Sequence, residues 1–254
     1  MLKHPDRRQY KNPPIEEAIC EFRFDPASDW DPTLAGRLLV AMDGDYTGKP
    51  RQQHLFQANL TVGAGKAPSS TKLVEGMNRI QLPTADGTRI INVGLNTLAI
   101  SALRPYGGWE EFRPRIEKAI TKYQEVAKPI AVHRIGVRYI NKIMVPLAGA
   151  DPRLYLKCAP HVLEGLPARM NSFMNRNEYA YDDGIKLRLS SASLDVNENS
   201  SSFLLDLDVI WESSEHPLST ENVMPRVDDL RDRERSAFES LITEAAREVF
   251  DAGN

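Results

Sequence analysis

Two segments of the chain begin with the same Pro-Ile pair and continue with side chains that alternate in a period of two. In the first, IEEAICEFRF at 15–24, apolar side chains lie on one side and charged side chains on the other. The second follows Pro129 over 130–145, where Val137-Arg138-Tyr139 repeats the pattern of Phe22-Arg23-Phe24. A period of two is that of a β-strand with one buried face. Both segments therefore predict strands of a sheet that is covered on one side only.

Further strands and helices are predicted after each segment in a similar order. After 15–24 the sequence predicts a helix at 33–42, strands near 53–62, 72–82, 88–94 and 97–103, and a long helix from about Trp109 past Tyr123. Pro114 lies within this helix pattern, so it either moves the helix start to 113–114 or kinks the first turn. After 130–145 it predicts a turn at 149–152 that caps a short helix to about 162, strands near 170–181, 185–192 and 202–211, and a closing helix at 225–250. The GAGKAPSST segment at 63–71 is predicted to be a hairpin loop.

The order strand, helix, strands, long helix thus occurs twice, which predicts an α+β fold with an internal duplication. Hairpin-connected strands followed by helices favour an antiparallel sheet with both long helices on one face. Helix-grip domains and the saddle of the TATA-binding protein have the same element order, an analogy of topology that carries no function. We expect an N-terminal arm at 1–14 and two halves, 15–128 and 129–254, that share one sheet. The alternative is one irregular α+β domain without a repeat.

Composition limits the class of protein. The chain has 254 residues, of which 41% are hydrophobic and 26% charged, as in folded globular domains. Its net charge is −3, so nucleic acid is a possible but not a favoured partner. The two cysteines, Cys20 and Cys158, cannot form a disulfide framework, and no secretory leader or membrane-spanning run is recognisable. We therefore expect a cytoplasmic protein that does not bind membranes.

Three segments resemble those of a known family. They are the first strand NPPIEEAICEFRFDP, the central RIGVRYINKI and the closing FESLITEAAREVF. Together they are similar to a sporadically distributed bacterial family of about this length that has no assigned activity. The resemblance extends from the first strand to the last helix and implies a bacterial origin. It implies no catalytic or binding residues.

Local motifs for catalysis or metal binding are not found. The five histidines are scattered, and no two of them lie within five residues of each other. The glycines at 63–65 lack the spacing of a phosphate-binding loop. The sequence therefore predicts no catalytic residue, no metal site and no cofactor. It favours a protein that is not an enzyme and leaves that question open.

The polar sides of the predicted strands provide the main candidate site. These sides carry Glu21 and Arg23 in the first segment, Arg134, Arg138 and Lys142 in the second, and Asp206 and Asp208 in FLLDLDVIW. We expect them on the sheet face opposite the long helices. Such a face is either a ladder of cross-strand ion pairs or a recognition surface for carboxylate or phosphate groups.

Two functional hypotheses follow from these patterns. The first is a binding module that presents the charged sheet face to a protein, a peptide or an anionic partner. The second is a small-ligand receptor or an enzyme with a cavity between sheet and helices, for which His133, Tyr139 and Asn141 are the candidate residues. A homodimer is compatible with either hypothesis, because an open sheet has edges that need covering.

Overall fold

A computed structural model describes residues 8–25, 31–59, 72–129, 131–165, 170–197, 199–213 and 215–252. Within these ranges the protein has an α+β fold with a nine-stranded antiparallel sheet and four α-helices. The predicted loop at 63–71 and the first seven residues of the predicted arm lie outside the described residues. No helix in the described ranges combines the length and apolar character needed to cross a membrane.

The described residues form nine strands, four α-helices and two short 3-10 turns. The strands are β1 (Ile15–Phe24), β2 (Arg51–Asn59), β3 (Lys72–Pro83), β4 (Arg89–Gly94), β5 (Thr97–Leu103), β6 (Val132–Val145), β7 (Met174–Ala180), β8 (Lys186–Asn197) and β9 (Ser200–Glu212). The α-helices are α1 (Leu34–Ala41), α2 (Trp109–Ala127), α3 (Val223–Leu241) and α4 (Glu244–Asp251). Short 3-10 turns lie at Pro152–Leu154 and Thr220–Asn222.

The strand order in the sheet is β2-β3-β4-β5-β1-β6-β9-β8-β7. The two segments with alternating side chains, β1 and β6, lie side by side in the middle of the sheet and run antiparallel. In this register Glu21 lies opposite Gly136, and Arg23 lies opposite Arg134. The polar sides of β1 and β6 therefore meet on the same face of the sheet.

The other face of the sheet carries the hydrophobic core. Helix α2 packs against β5, and α3 packs against β6 and β9. The buried side chains of the central strands include Ala18, Cys20, Phe22, Phe24, Ile135, Val137, Leu205, Leu207 and Val209, and those of the two helices include Phe112, Ile116, Tyr123, Val227 and Leu230. Because the helices cover this face, the charged residues between these strand positions remain on the open face.

The C-terminal part differs from its prediction in two places. The predicted helix from the 149–152 turn to about 162 is wrong beyond the 3-10 turn, because the backbone of Leu156 forms a bridge with Ile242. The single closing helix at 225–250 is also wrong. Ile242 is extended, and Thr243 caps a separate helix, α4, by accepting a hydrogen bond from the amide of Ala246.

The start of the long helix α2 also differs from one alternative given by the sequence. The helix begins at Trp109 and not at 113–114, and Pro114 lies inside it. Proline has no amide hydrogen, so the carbonyl four residues earlier accepts no helical hydrogen bond from it. This position is close enough to the helix start for the remaining turns to form.

Candidate functional site

The open face of the sheet forms a groove of about 630 Å³, which we call the sheet groove. The strand alternation that buries the core side chains places charged side chains on this face. The charged residues that line the groove are Glu17, Glu21, Arg23, Arg79, Arg134, Arg138, Arg176, Arg188, Asp206 and Asp208. Six of the seven charged residues selected from the sequence are therefore brought together.

The carboxylate of Glu21 is shared by three arginines. It accepts hydrogen bonds from Arg134 Nη1 at 2.6 Å, Arg23 Nε at 2.9 Å and Arg79 Nη2 at 3.1 Å. Burial acts to raise the pKa of Glu21, but the charges of the three arginines outweigh burial and hold this pKa below its ordinary value. One negative charge thus faces three positive charges at the centre of the groove.

Gly136 leaves room for this arrangement on β6. A Cβ atom at this position would lie 3.3 Å from Asp208 Oδ1 and 3.5 Å from Arg134 Nη1 and Nη2. The Arg134 guanidinium therefore lies over the glycine, and its Nη2 is 3.8 Å from Asp208 Oδ2. Burial raises the pKa of Asp208 and lowers that of Arg134. The side chain of Arg134 is only 8% exposed in this part of the groove.

Arg138 and Asp206 form a second ion pair in the groove. Arg138 donates from Nε at 2.8 Å and from Nη2 at 2.6 Å to the two oxygens of Asp206. The residue directly opposite Arg138 on β9 is Asp208, so the pair with Asp206 is diagonal. Next to it, Arg188 of β8 donates to Glu178 of β7 at 2.7 Å. Arg138 is thus held by two hydrogen bonds to its carboxylate, and Arg188 by one.

Lys142 is the seventh charged residue selected from the sequence, and it does not line the groove. It lies four residues beyond Arg138 on β6, which is about 13 Å along a strand. Its amide donates to the carbonyl of Pro14 at 2.8 Å. Strand alternation predicts its face but not how far the groove extends.

A second concave region lies between sheet and helices, and we call it the helix-side cavity. It has a volume of about 640 Å³ and is lined by residues of β6, the start of α2, one side of α3 and the segment 8–15. Tyr139 and Asn141, two of the three cavity candidates, line it. The third, His133, does not line it, and its Nδ1 lies 3.5 Å from Asp25 Oδ1 near the other end of β6.

An arginine that the sequence did not indicate, Arg231 of α3, is buried at this cavity and is only 9% exposed. Its guanidinium carbon lies 4.7 Å from the ring centre of Tyr139 and 5.7 Å from that of Trp109. Its Nη1 donates to Glu234 at 2.9 Å. The two aromatic rings and the carboxylate hold the guanidinium in one position.

Glu234 is buried beside Arg231 and is 3% exposed. Burial raises its pKa to about 7, although the charges of Arg231 and Arg235 act in the opposite direction. The sequence does contain a signal for this residue, because Glu234 lies four residues from both Leu230 and Phe238 on the apolar side of α3. A charged residue within an apolar stripe indicates a buried polar contact.

Two tyrosine hydroxyls meet at the same cavity. The hydroxyl oxygens of Tyr106 and Tyr139 are 2.9 Å apart, so one donates to the other. Burial raises the pKa of Tyr106 to about 12 and that of Tyr139 well above its ordinary value. Both phenols are therefore protonated at neutral pH and serve as hydrogen-bonding groups.

The described side chains contain no group of three or more His, Cys, Asp or Glu residues that are placed to hold a metal ion. Cys20 is buried in the core, and burial raises the pKa of its thiol well above the ordinary value. Two regions, the sheet groove and the helix-side cavity, are thus the candidates for ligand binding. Compared with known proteins, the chain matches no family model and no curated protein.

Proposed function

We propose that the protein is a binding module whose sheet groove docks an acidic segment of a partner protein. The observation that carries this proposal is the sharing of the Glu21 carboxylate by Arg23, Arg79 and Arg134 on a sheet face that none of the described helices covers. Arg134 also lies near Asp208, whereas Arg23 and Arg79 have only the shared Glu21 carboxylate as an ion-pair partner among the described residues. A partner that brings additional carboxylates would supply acceptors for these arginines.

The surroundings of this cluster support an anionic partner. The groove is lined by six arginines and four carboxylates, so positive charge is in excess. Arg79 Nε is buried and has no hydrogen-bond partner among the described residues. A buried donor without an acceptor costs free energy that an incoming oxygen atom would recover.

The ion pairs already present prepare the groove for binding. The side chains of Arg23 and Arg138 are 40% and 43% exposed, and each is held by a carboxylate of the same face. Their guanidinium groups are therefore fixed in position while part of each remains accessible. Fixed side chains lose less conformational entropy when a partner binds than mobile ones do.

We also infer that the halves 15–128 and 129–254 are two copies of one structural unit in a saddle-like arrangement. In each half the first strand pairs with the last strand: β1 with β5, and β6 with β9. Each half then has a long helix, α2 or α3. The inference supports the proposed function because it relates Arg23 and Arg138 as corresponding residues. Superposition of β1 on β6 should bring α2 onto α3 in the same direction.

The test of the proposed function uses a labelled ten-residue glutamate peptide and fluorescence anisotropy at low salt. We expect the native protein to bind this peptide and not a glutamine peptide of the same length. The double variant Arg23→Ala with Arg138→Ala should weaken binding at least about tenfold while its melting temperature stays within a few degrees, because exposed ion pairs contribute little to stability.

A matched control removes two arginines outside the groove. Arg37 and Arg104 are each paired with a carboxylate, Asp31 and Glu16 respectively, and neither lines the groove. Arg37→Ala with Arg104→Ala should leave binding unchanged. Equal weakening by both double variants, or no binding of the glutamate peptide, contradicts the proposal. Tighter binding of a single-stranded oligonucleotide would assign the groove to nucleic acid instead.

A further inference from the structure

Arg231 lines the helix-side cavity, and one edge of its buried guanidinium has no hydrogen-bond partner among the described residues. Arg231 uses Nη1 for Glu234, while its Nε is buried and has no hydrogen-bond partner among the described residues. The guanidinium carbon lies 4.7 Å from the ring centre of Tyr139 and 5.7 Å from that of Trp109. What remains for a ligand is the edge formed by Nε and Nη2.

This edge has a defined chemical preference. Nε–H and Nη2–H point in the same direction and match the two oxygens of a carboxylate in a bidentate pair. A buried donor without an acceptor is rare in folded proteins, because its desolvation is uncompensated. A ligand carboxylate at this edge would satisfy the buried Nε of Arg231.

The start of helix α2 faces the same cavity. Gly107, Gly108 and Trp109 line it, and no side chain caps the helix at Gly108. The amides of the first helical turn have no partner within the helix and carry partial positive charge. These donors favour negative charge near the helix start, where Glu110 and Glu111 of the first turn already lie.

The remaining charges limit the ligand to a singly charged one. The cavity is lined by five cationic and five acidic side chains. Several of these are already paired, as in the two hydrogen bonds from Arg113 to Asp228. The net charge of the lining is thus near zero. A dianion would bring a second negative charge that the Arg231 edge does not balance.

From these observations we propose that the helix-side cavity binds a small organic carboxylate, whose carboxylate pairs with the Nε–Nη2 edge of Arg231. Its volume of about 640 Å³ is that of a site for a small molecule. The rings of Trp109 and Tyr139 lie next to the arginine, and the ring of Tyr106 packs against that of Tyr139, which favours an apolar or aromatic body on the ligand. This site is separate from the sheet groove, which lies on the opposite face of the sheet.

The first experiment compares acids with their amides on the native protein. Isothermal titration calorimetry is performed with benzoate and 3-phenylpropanoate, with benzamide and 3-phenylpropanamide, and with phenyl phosphate. We expect at least one of the two acids to bind and its amide to bind at least about tenfold more weakly, because the amide lacks the charge and the second acceptor. Equal affinity of acid and amide, or no binding of either acid at millimolar concentration, would overturn the proposal. Tighter binding of phenyl phosphate would overturn the assignment to a carboxylate.

The second experiment locates the site with variants of α3. Arg231→Lys keeps the charge but loses the planar edge, so we expect affinity to fall at least about tenfold. Arg233→Lys is the control, since Arg233 pairs with Asp183 and Asp229 and does not line the cavity. Unchanged affinity in a folded Arg231→Lys protein contradicts the proposal. If this variant does not fold, the deciding measurement is the shift of the Arg231 Nε–H signal in the native protein on addition of the acid that binds in the first experiment, and its absence is the contrary result.

Discussion

Arg134 of β6 donates to Glu21 of β1 at 2.6 Å, and its guanidinium reaches this partner across Gly136. The two residues are not directly opposite each other in the register, where Glu21 faces Gly136 itself. A Cβ atom at Gly136 would make an ordinary contact with this guanidinium and a tighter one, at 3.3 Å, with Asp208 Oδ1. The pair of Arg134 and Glu21 joins β1 and β6, the two strands in the middle of the sheet.

Replacing Glu21 should destabilise the protein more than replacing Glu17, which lies on the same strand. In Glu21→Gln three arginines lose their common carboxylate, and we expect unfolding free energy to fall by roughly 2 to 4 kcal/mol, the cost of leaving buried charges unpaired. Urea denaturation measures this loss. It should shrink in 1 M salt (about 3 Å screening length), where anions weaken the repulsion among the arginines.

Glu17→Gln is the control for this experiment. Glu17 lines the same groove on the same strand, but its side chain takes part in none of the hydrogen bonds or ion pairs between described side chains. Its replacement should change stability by no more than about 0.5 kcal/mol. A Glu17 effect as large as that of Glu21 would mean that general charge, and not the shared carboxylate, stabilises the groove.

The faces of the central strands could be predicted from the sequence because alternation in a period of two decides which side each residue takes. Alternation alone therefore predicts that Glu21, Arg23, Arg138 and Asp206 lie on the polar face. The partners within that face could not be predicted. Arg138 bonds Asp206 and not the opposite Asp208, since a long side chain reaches diagonally across a strand pair.

The helix-side cavity could not be assembled from local patterns. Arg231 and Glu234 lie on α3, whereas Tyr139 lies on β6 and Trp109 begins α2, so their contact depends on the packing of three elements. The break between α3 and α4 has a similar cause. It depends on the pairing of Ile242 with Leu156, a residue far away in the sequence.

The pair between Arg113 of α2 and Asp228 of α3 should couple the two long helices. Its two hydrogen bonds, at 2.8 and 2.9 Å, join side chains that are about one-third exposed. A double-mutant cycle with Arg113→Ala and Asp228→Ala should give a coupling of about 0.5 to 1 kcal/mol. The same cycle on Lys122 and Glu125 within α2 should give less, and additive effects at Arg113 and Asp228 would disprove the coupling.

Thr243 should be needed for the separate closing helix. Its hydroxyl oxygen accepts from the amide of Ala246 at 3.3 Å, and its hydroxyl donates to the carbonyl of Leu154 at 2.6 Å. Thr243→Ala should therefore lower the unfolding free energy by about 1 kcal/mol. Ser236→Ala, which removes an exposed hydroxyl in α3, should change it by less than about 0.5 kcal/mol. Similar losses in the two variants, measured by thermal unfolding, would show that the cap contributes nothing.

The buried Glu234 should make the free energy of unfolding depend on pH. The dependence is expected between pH 4.5, the pKa of a free glutamate, and about pH 7, the pKa of Glu234 in the folded protein. Burial raises the pKa of Glu234 from 4.5 to about 7 in the folded protein, where Arg231, Arg235 and Glu239 are the charged residues that act on it. Between these values the folded protein holds a proton that the unfolded chain has released. The contribution of Glu234 to stability is therefore full below pH 4.5 and is lost as the pH rises to about 7.

The variant Glu234→Gln isolates this effect, because it has no proton to release and leaves the other titrating groups, such as Glu21, in place. Urea denaturation of both proteins from pH 4.5 to 8 should show the native protein losing up to about 3 kcal/mol relative to the variant, with the difference constant above pH 7. The native protein loses stability as the pH rises because the pKa of Glu234 is higher in the folded protein than in the unfolded chain. The folded state is therefore favoured only at pH values where Glu234 stays protonated. A difference that is independent of pH over this window would show that Glu234 titrates normally and that its carboxylate is already ionised beside Arg231.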